Sequence, residues 1–196
     1  MFSSSSLLIS FSSSLTNTKG NVITSNRLNN MKNFTLSLLH ELREIKNSTL
    51  MIFDPFNELK LDLNLYPNYY STDVDQKLDI VINYVNKLIN EKSQIVGTIL
   101  VYGFQRFMEK VSDVKKVEEL VTQLKKYEKI SIIAIDDVGK LKDYSSDKWF
   151  NTTFSNKDAV WIGKGISNQS FIRISTLTKD MMKDYNNDMG FVISES

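Results

Sequence analysis

The chain has 196 residues, 24 basic against 23 acidic side chains, and a net charge of +1. That length suits one domain, or one domain with extensions, and the charge balance offers nothing to nucleic acid, which wants a basic patch or stripe. The absence of cysteine excludes disulfides and thiolate metal sites, and a single histidine, His40, excludes a histidine-rich metal cluster.

The first 16 residues read as a Ser-rich strand or tail. They lack the basic start of a signal peptide, and serines interrupt their apolar run. No stretch reaches the ~18 apolar residues that span a bilayer. Residues 17–196 read as one α/β domain in which strands and helices alternate, the pattern of a largely parallel sheet. A short strand over 20–25 comes first. A loop follows, Asn26-Arg27-Leu28-Asn29-Asn30-Met31-Lys32-Asn33, and then an amphipathic helix over 34–46, with Leu38, Leu39, Leu42 and Ile45 on its apolar side.

Strand, eight-residue loop and helix is the layout of a phosphate-binding loop, G-x-x-x-x-G-K-[ST]. Its chemistry is nearly absent. Asn26 and Met31 stand at the two glycine positions, where positive φ and close backbone approach to phosphate are needed. Asn33 stands where a hydroxyl would ligate Mg²⁺. Lys32 alone survives, either as a solvated surface lysine or as a weak phosphate contact at a helix N-terminus.

Residues 48–53 form a near-continuous apolar run, a strand buried on both faces, which Pro55 stops. Asp54 at its end either faces a ligand or holds a turn with Pro55, and the turn is the simpler reading. A polar, tyrosine-rich connector covers 61–70. Thr72-Asp73 then reads as the start of a long helix, capped there, with Val74, Leu78, Val81, Val85 and Leu88 on its buried face.

The strand over 97–102 ends in Tyr102-Gly103. In a P-loop ATPase the Walker B strand ends there in an acidic pair that holds Mg²⁺ and polarises water, and neither Tyr102 nor Gly103 can do so. A helix over 112–126 carries Val114, Val117, Val121 and Leu124. The strand over 131–135 ends in Asp136-Asp137, which taken alone could pass for Walker B or serve turn chemistry. Later strands are expected at 159–162, 170–174 and 190–193, with a short helix over 179–184. Gly163 and Gly165 separate the first two strands as in a hairpin. Trp149, Phe150 and Trp161 add apolar surface late in the chain, which would mark a partner site if exposed together.

The order of these pieces resembles the C-terminal, third ATPase domain of EssC-type coupling proteins, the FtsK/SpoIIIE-like proteins of bacterial type VII secretion. The match runs through residues 20–32 in the P-loop place, Met51-Ile52-Phe53-Asp54, residues 98–104 in the Walker B place, and the strand over 130–137 beyond it. It closes on Val160-Trp161-Ile162-Gly163-Lys164-Gly165-Ile166-Ser167-Asn168-Gln169, similar to the family's Gly-x-Gly-(x)₃-Gln segment.

The resemblance implies a P-loop NTPase-like, three-layer sandwich with a C-terminal β-hairpin region. It implies a cytoplasmic domain of a larger cell-membrane protein, reaching the membrane only through that parent. It also implies a degenerate nucleotide site that binds no cofactor. The expected partners are secreted type VII substrates (WXG-family or LXG-type proteins) or their chaperones, and adjacent ATPase domains of the parent. Candidate substrate contacts are Trp149, Phe150, Trp161 and Gln169, and Trp149→Ala with Phe150→Ala is expected to weaken cargo binding without unfolding. The rival expectation is a working FtsK-type motor, with ATP on Lys32 and Mg²⁺ on Asp136 or Asp137.

Overall fold

The computed structural model describes residues 2–3, 20–183, 186–187 and 189–193. Eight strands form one sheet in the order β1-β8-β7-β2-β6-β5-β3-β4. They are β1 (Phe2–Ser3), β2 (Gly20–Ser25), β3 (Ser48–Phe53), β4 (Tyr69–Tyr70), β5 (Val96–Tyr102), β6 (Ile130–Asp137), β7 (Ala159–Ile162) and β8 (Met189–Ile193). From β4 to β7 all neighbours are parallel, and β8 and β1 close the other edge antiparallel. β6 lies between β2 and β5 and is buried along almost its whole length, as its continuous apolar run requires.

Helices cover both faces. On one lies α1 (Lys32–Arg43), whose Phe34, Leu38, Leu39 and Leu42 meet Ile23, Ile52, Leu100, Ile133 and Ile135. On the other lie α2 (Val74–Asn90), α3 (Phe104–Lys110), α4 (Val114–Tyr127), α5 (Val138–Asp143) and α6 (Lys148–Thr153). Val81, Val85, Val117, Val121 and Leu124 are buried on that side. The three-layer sandwich with a mostly parallel sheet is therefore present.

Several local expectations are corrected. The 34–46 helix starts at Lys32 and stops at Arg43, which leaves Ile45 exposed outside it. Asp73 does not cap α2: it sits at φ 50°, with no hydrogen bond from its side chain to the helix. The cap that does form is Asp113, which accepts the Lys115 N–H and places Val114 on the exposed side of α4's first turn.

Residues 170–174 are not a strand. Gln169 folds them into a turn, its Oε1 accepting the Phe171 and Ile172 N–H groups at 2.7 Å each. β7 instead pairs antiparallel with β8, so the closing hairpin spans a long connection rather than the Gly163–Gly165 turn. Residues 179–183 form turns and no helix, and 184 lies outside the described residues. Of the first 16 residues only Phe2 and Ser3 are described, as the edge strand beside β8.

Candidate functional site

In open parallel sheets ligands gather outside the carboxyl ends of the strands. Here that edge carries the loop after β2, the ends of β5 and β6, and the turn after β3. The loop is built on a 3₁₀ turn, Leu28–Met31, preceded by an extended Arg27. Its amides are used internally: Asn30 N–H donates to the Arg27 carbonyl at 3.0 Å, and Lys32 N–H donates to the Asn29 carbonyl. No residue from 26 to 33 has positive φ. A phosphate nest needs successive N–H groups aimed at one centre. This loop turns its amides inward instead.

Side chains fill the space that the turn encloses. Met31 is fully buried and Leu28 nearly so, both in the cluster that holds Ile23, Ile135 and Ile162. Tyr102, at the end of β5, is 1% exposed and reaches beneath the loop, where its hydroxyl donates to the Leu28 carbonyl at 3.2 Å. Burial, with the carboxylates of Glu58, Asp54 and Asp136 nearby, pushes this phenol above its usual range, so it stays a neutral donor. Gly103 follows at φ 75°, starts α3, and donates its N–H to the Ile135 carbonyl.

The loop's outer side is tied down as well. Asn26 Nδ2 donates to the Lys164 carbonyl, and Gly165 lies so close that a Cβ there would fall 2.5 Å from the same nitrogen. Asn30 bonds Ser25 Oγ and Asn187. Lys32 is half-buried and its ammonium makes no hydrogen bond or ion pair among the described residues, while Asn33 is exposed.

The three strand-end acids differ. Asp54 is sealed, and its Oδ2 accepts the Leu59 N–H at 2.7 Å and the Tyr69 hydroxyl at 2.6 Å, which closes the turn after β3. Asp136 is also sealed. It accepts the Gln105 N–H in the first turn of α3 and the Asp137 N–H, both at 2.8 Å. Desolvation still raises its pKa above the ordinary carboxylate value. Asp137 is partly exposed; its Oδ2 is 3.6 Å from Lys140 Nζ, and its buried Oδ1 has no hydrogen-bond partner. Among the described residues no three acidic or histidine side chains cluster as a metal site would require.

Two of the three late aromatics are core. Phe150 and Trp161 are 0% exposed, and Phe150 stacks with Phe104 and Phe154 at centroid distances of 5.6 and 4.9 Å. Trp161 Nε1 donates to the Gly163 carbonyl. Trp149 is half-buried against the same cluster, and Gln169 is committed to its turn. The expectation that Phe150→Ala leaves the fold intact is therefore withdrawn. Sequence reasoning missed that the Tyr102 hydroxyl reaches the Leu28 carbonyl, 74 residues away in the chain, since no local pattern signals it.

No protein-family model matches the sequence, and no curated protein matches it. Solved structures do match in fold. The EssC fragment of ATPases 2 and 3 from Geobacillus thermodenitrificans superposes with a TM-score of 0.70 at 11% identity, over 92% of this chain and 36% of that one. The cytoplasmic domain of EssC gives 0.65 at 9% identity, over 89% of this chain and 37% of that one. Thermomonospora curvata EccC (ATPases 2 and 3), in complex with a signal sequence peptide, gives 0.63 at 10% identity, over 92% and 35%. The chain thus has the fold of an ATPase domain of these secretion proteins, and it spans about a third of their length. No helix among the described residues is long and apolar enough to cross a membrane.

Proposed function

We propose that this chain is a type VII secretion ATPase-fold domain that has lost nucleotide hydrolysis and serves in recognising secreted substrates. The observation that carries the first half is the loop after β2, where Met31 is buried and the Tyr102 hydroxyl donates to the Leu28 carbonyl. These residues leave the loop without the glycine and the strand end without the acid that a phosphate and Mg²⁺ site uses. The second half rests on the fold shared with EssC and EccC, the latter solved with a signal sequence peptide. The partners are type VII cargo (WXG-family or LXG-type proteins), their chaperones and neighbouring ATPase domains. The place is the cytoplasmic side of a membrane-anchored parent.

A second reading, an ATP-binding motor domain, has two observations in its favour: the uncommitted Lys32 ammonium and the unpartnered Asp137 Oδ1 at the same edge. Calorimetric titration with Mg-ATP, alongside Lys32→Ala, separates the two readings. The proposal expects no binding up to millimolar nucleotide. Micromolar binding that is lost in Lys32→Ala would replace it with the motor reading, and Asp137→Asn would be the next variant.

A further inference from the structure

The sheet has one edge that its own strands leave partly open. β4 covers β3 only at Ile52 and Phe53. Ile52 and Asp54 direct their N–H groups to that side, donating to the Asn68 and Tyr70 carbonyls. Backbone groups alternate along a strand, so Ser48 and Leu50 direct theirs to the same side. The Leu50 carbonyl is met by the Asn68 side-chain amide at 3.4 Å. Among the described residues, the Ser48 N–H and carbonyl and the Leu50 N–H have no strand beside them.

Next to this edge is a groove of about 210 Å³ lined by Thr49, Met51, Tyr70, Ile80, Val81 and Tyr84. α2 overhangs it, and Ile80 is 47% exposed on that helix, a large apolar side chain among polar neighbours on its solvent side. Two lysines stand at the ends, Lys46 just before β3 and Lys77 over the Tyr70 ring at 5.9 Å. Neither makes an ion pair among the described residues, so both ammonium groups are open to a carboxylate.

We infer that the β3 edge takes up an extended protein segment with acidic residues and one large apolar side chain. Unpaired backbone groups at strand spacing are a template that another extended backbone can pair with in register. The groove has room for one large side chain, and Lys46 and Lys77 match flanking carboxylates. This surface is separate from the loop after β2, and the inference does not rest on the function proposed above.

The test uses the full chain and a blocked nine-residue peptide alternating glutamate and valine. Backbone amide exchange is followed by NMR. With peptide at about ten times its Kd, exchange at the open-edge amides of Ser48 and Leu50 should slow by about tenfold. Ile80→Glu and, separately, Lys77→Glu should each weaken binding several-fold, with circular dichroism unchanged. A peptide with proline at alternate positions should not bind. Slowing elsewhere, no slowing, or equal binding of the proline peptide would overturn the inference. Concentration-dependent protection of Leu50 without peptide would also overturn it, in favour of a second copy of the chain as the occupant.

Discussion

At the scale of single residues, two buried side chains mark the carboxyl edge of the sheet: Met31 in the loop after β2 and Tyr102 at the end of β5. On the function proposed above, they take the places of a phosphate-loop glycine and a metal-binding acid. Each is stabilised by burial in a cluster with Ile23, Leu28 and Ile135. Tyr102→Phe removes one hydrogen bond and leaves the buried Leu28 carbonyl without it, so urea unfolding should show a loss of about 0.5–1.5 kcal/mol. Phe150→Ala should cost far more, about 3–5 kcal/mol, because it empties the centre of a five-ring cluster with Phe104, Tyr144, Trp149 and Phe154. Loss of cooperative unfolding in that variant would agree with a core role, and an unchanged midpoint would refute it.

At the scale of elements, the helices on one face are stitched together by charge. Asp75 in the first turn of α2 accepts the Ser112 N–H at 2.8 Å and pairs with Lys116 of α4 at 2.8 Å; Lys116 also reaches Asp79. The Lys116 ammonium, then the Ser112 N–H, pull the Asp75 pKa down from 3.8 to about 2. A carboxyl whose folded pKa is lowered adds stability that is fully present above its unfolded pKa and is lost as pH falls through the folded one. Denaturation midpoints should therefore drop between pH 3.8 and about 2, and Asp75→Asn should flatten that window. An identical acid profile in the variant would remove Asp75 from the account. At the start of α4, Asp113→Ala removes the one side-chain cap seen on a helix among the described residues and should cost about 1 kcal/mol in the same assay.

The elements also show where sequence patterns lose force. β2, β3 and β7 were legible to the residue: Leu50-Met51-Ile52-Phe53 and Ala159-Val160-Trp161-Ile162 are apolar runs of strand length, and β2 centres on Val22-Ile23 between turn-forming residues. α3, α5 and α6 were not, since six or seven residues hold too little of a 3.6-residue period to stand out. β4 is two residues long and exists only because β3 offers it a ladder. Phe171-Ile172-Arg173-Ile174 has the alternation of a strand, but the Gln169 side chain supplies the hydrogen bonds that a sheet would have given.

At the scale of the whole molecule, the parallel sheet places β6 between the loop strand and β5, which brings Tyr102, Asp136 and Asp137 to its carboxyl edge beside the loop. Strands flanked on both sides and covered on both faces open only with the whole fold. Amide exchange should therefore be slowest in β2, β5 and β6 and faster in β4 and the first half of β3. Fast exchange across β6 would contradict this architecture.

By itself the sequence determined the α/β class, the main strands, and the likeness in fold to type VII ATPase domains. Those follow from local rules: apolar runs and turn residues. Tertiary structure alone decided what fills the loop, which acids are committed, and that Phe150 and Trp161 are core. Those depend on pairs far apart in the chain, such as Tyr102 with Leu28 and Asp136 with Gln105, and on burial, which no single position reveals.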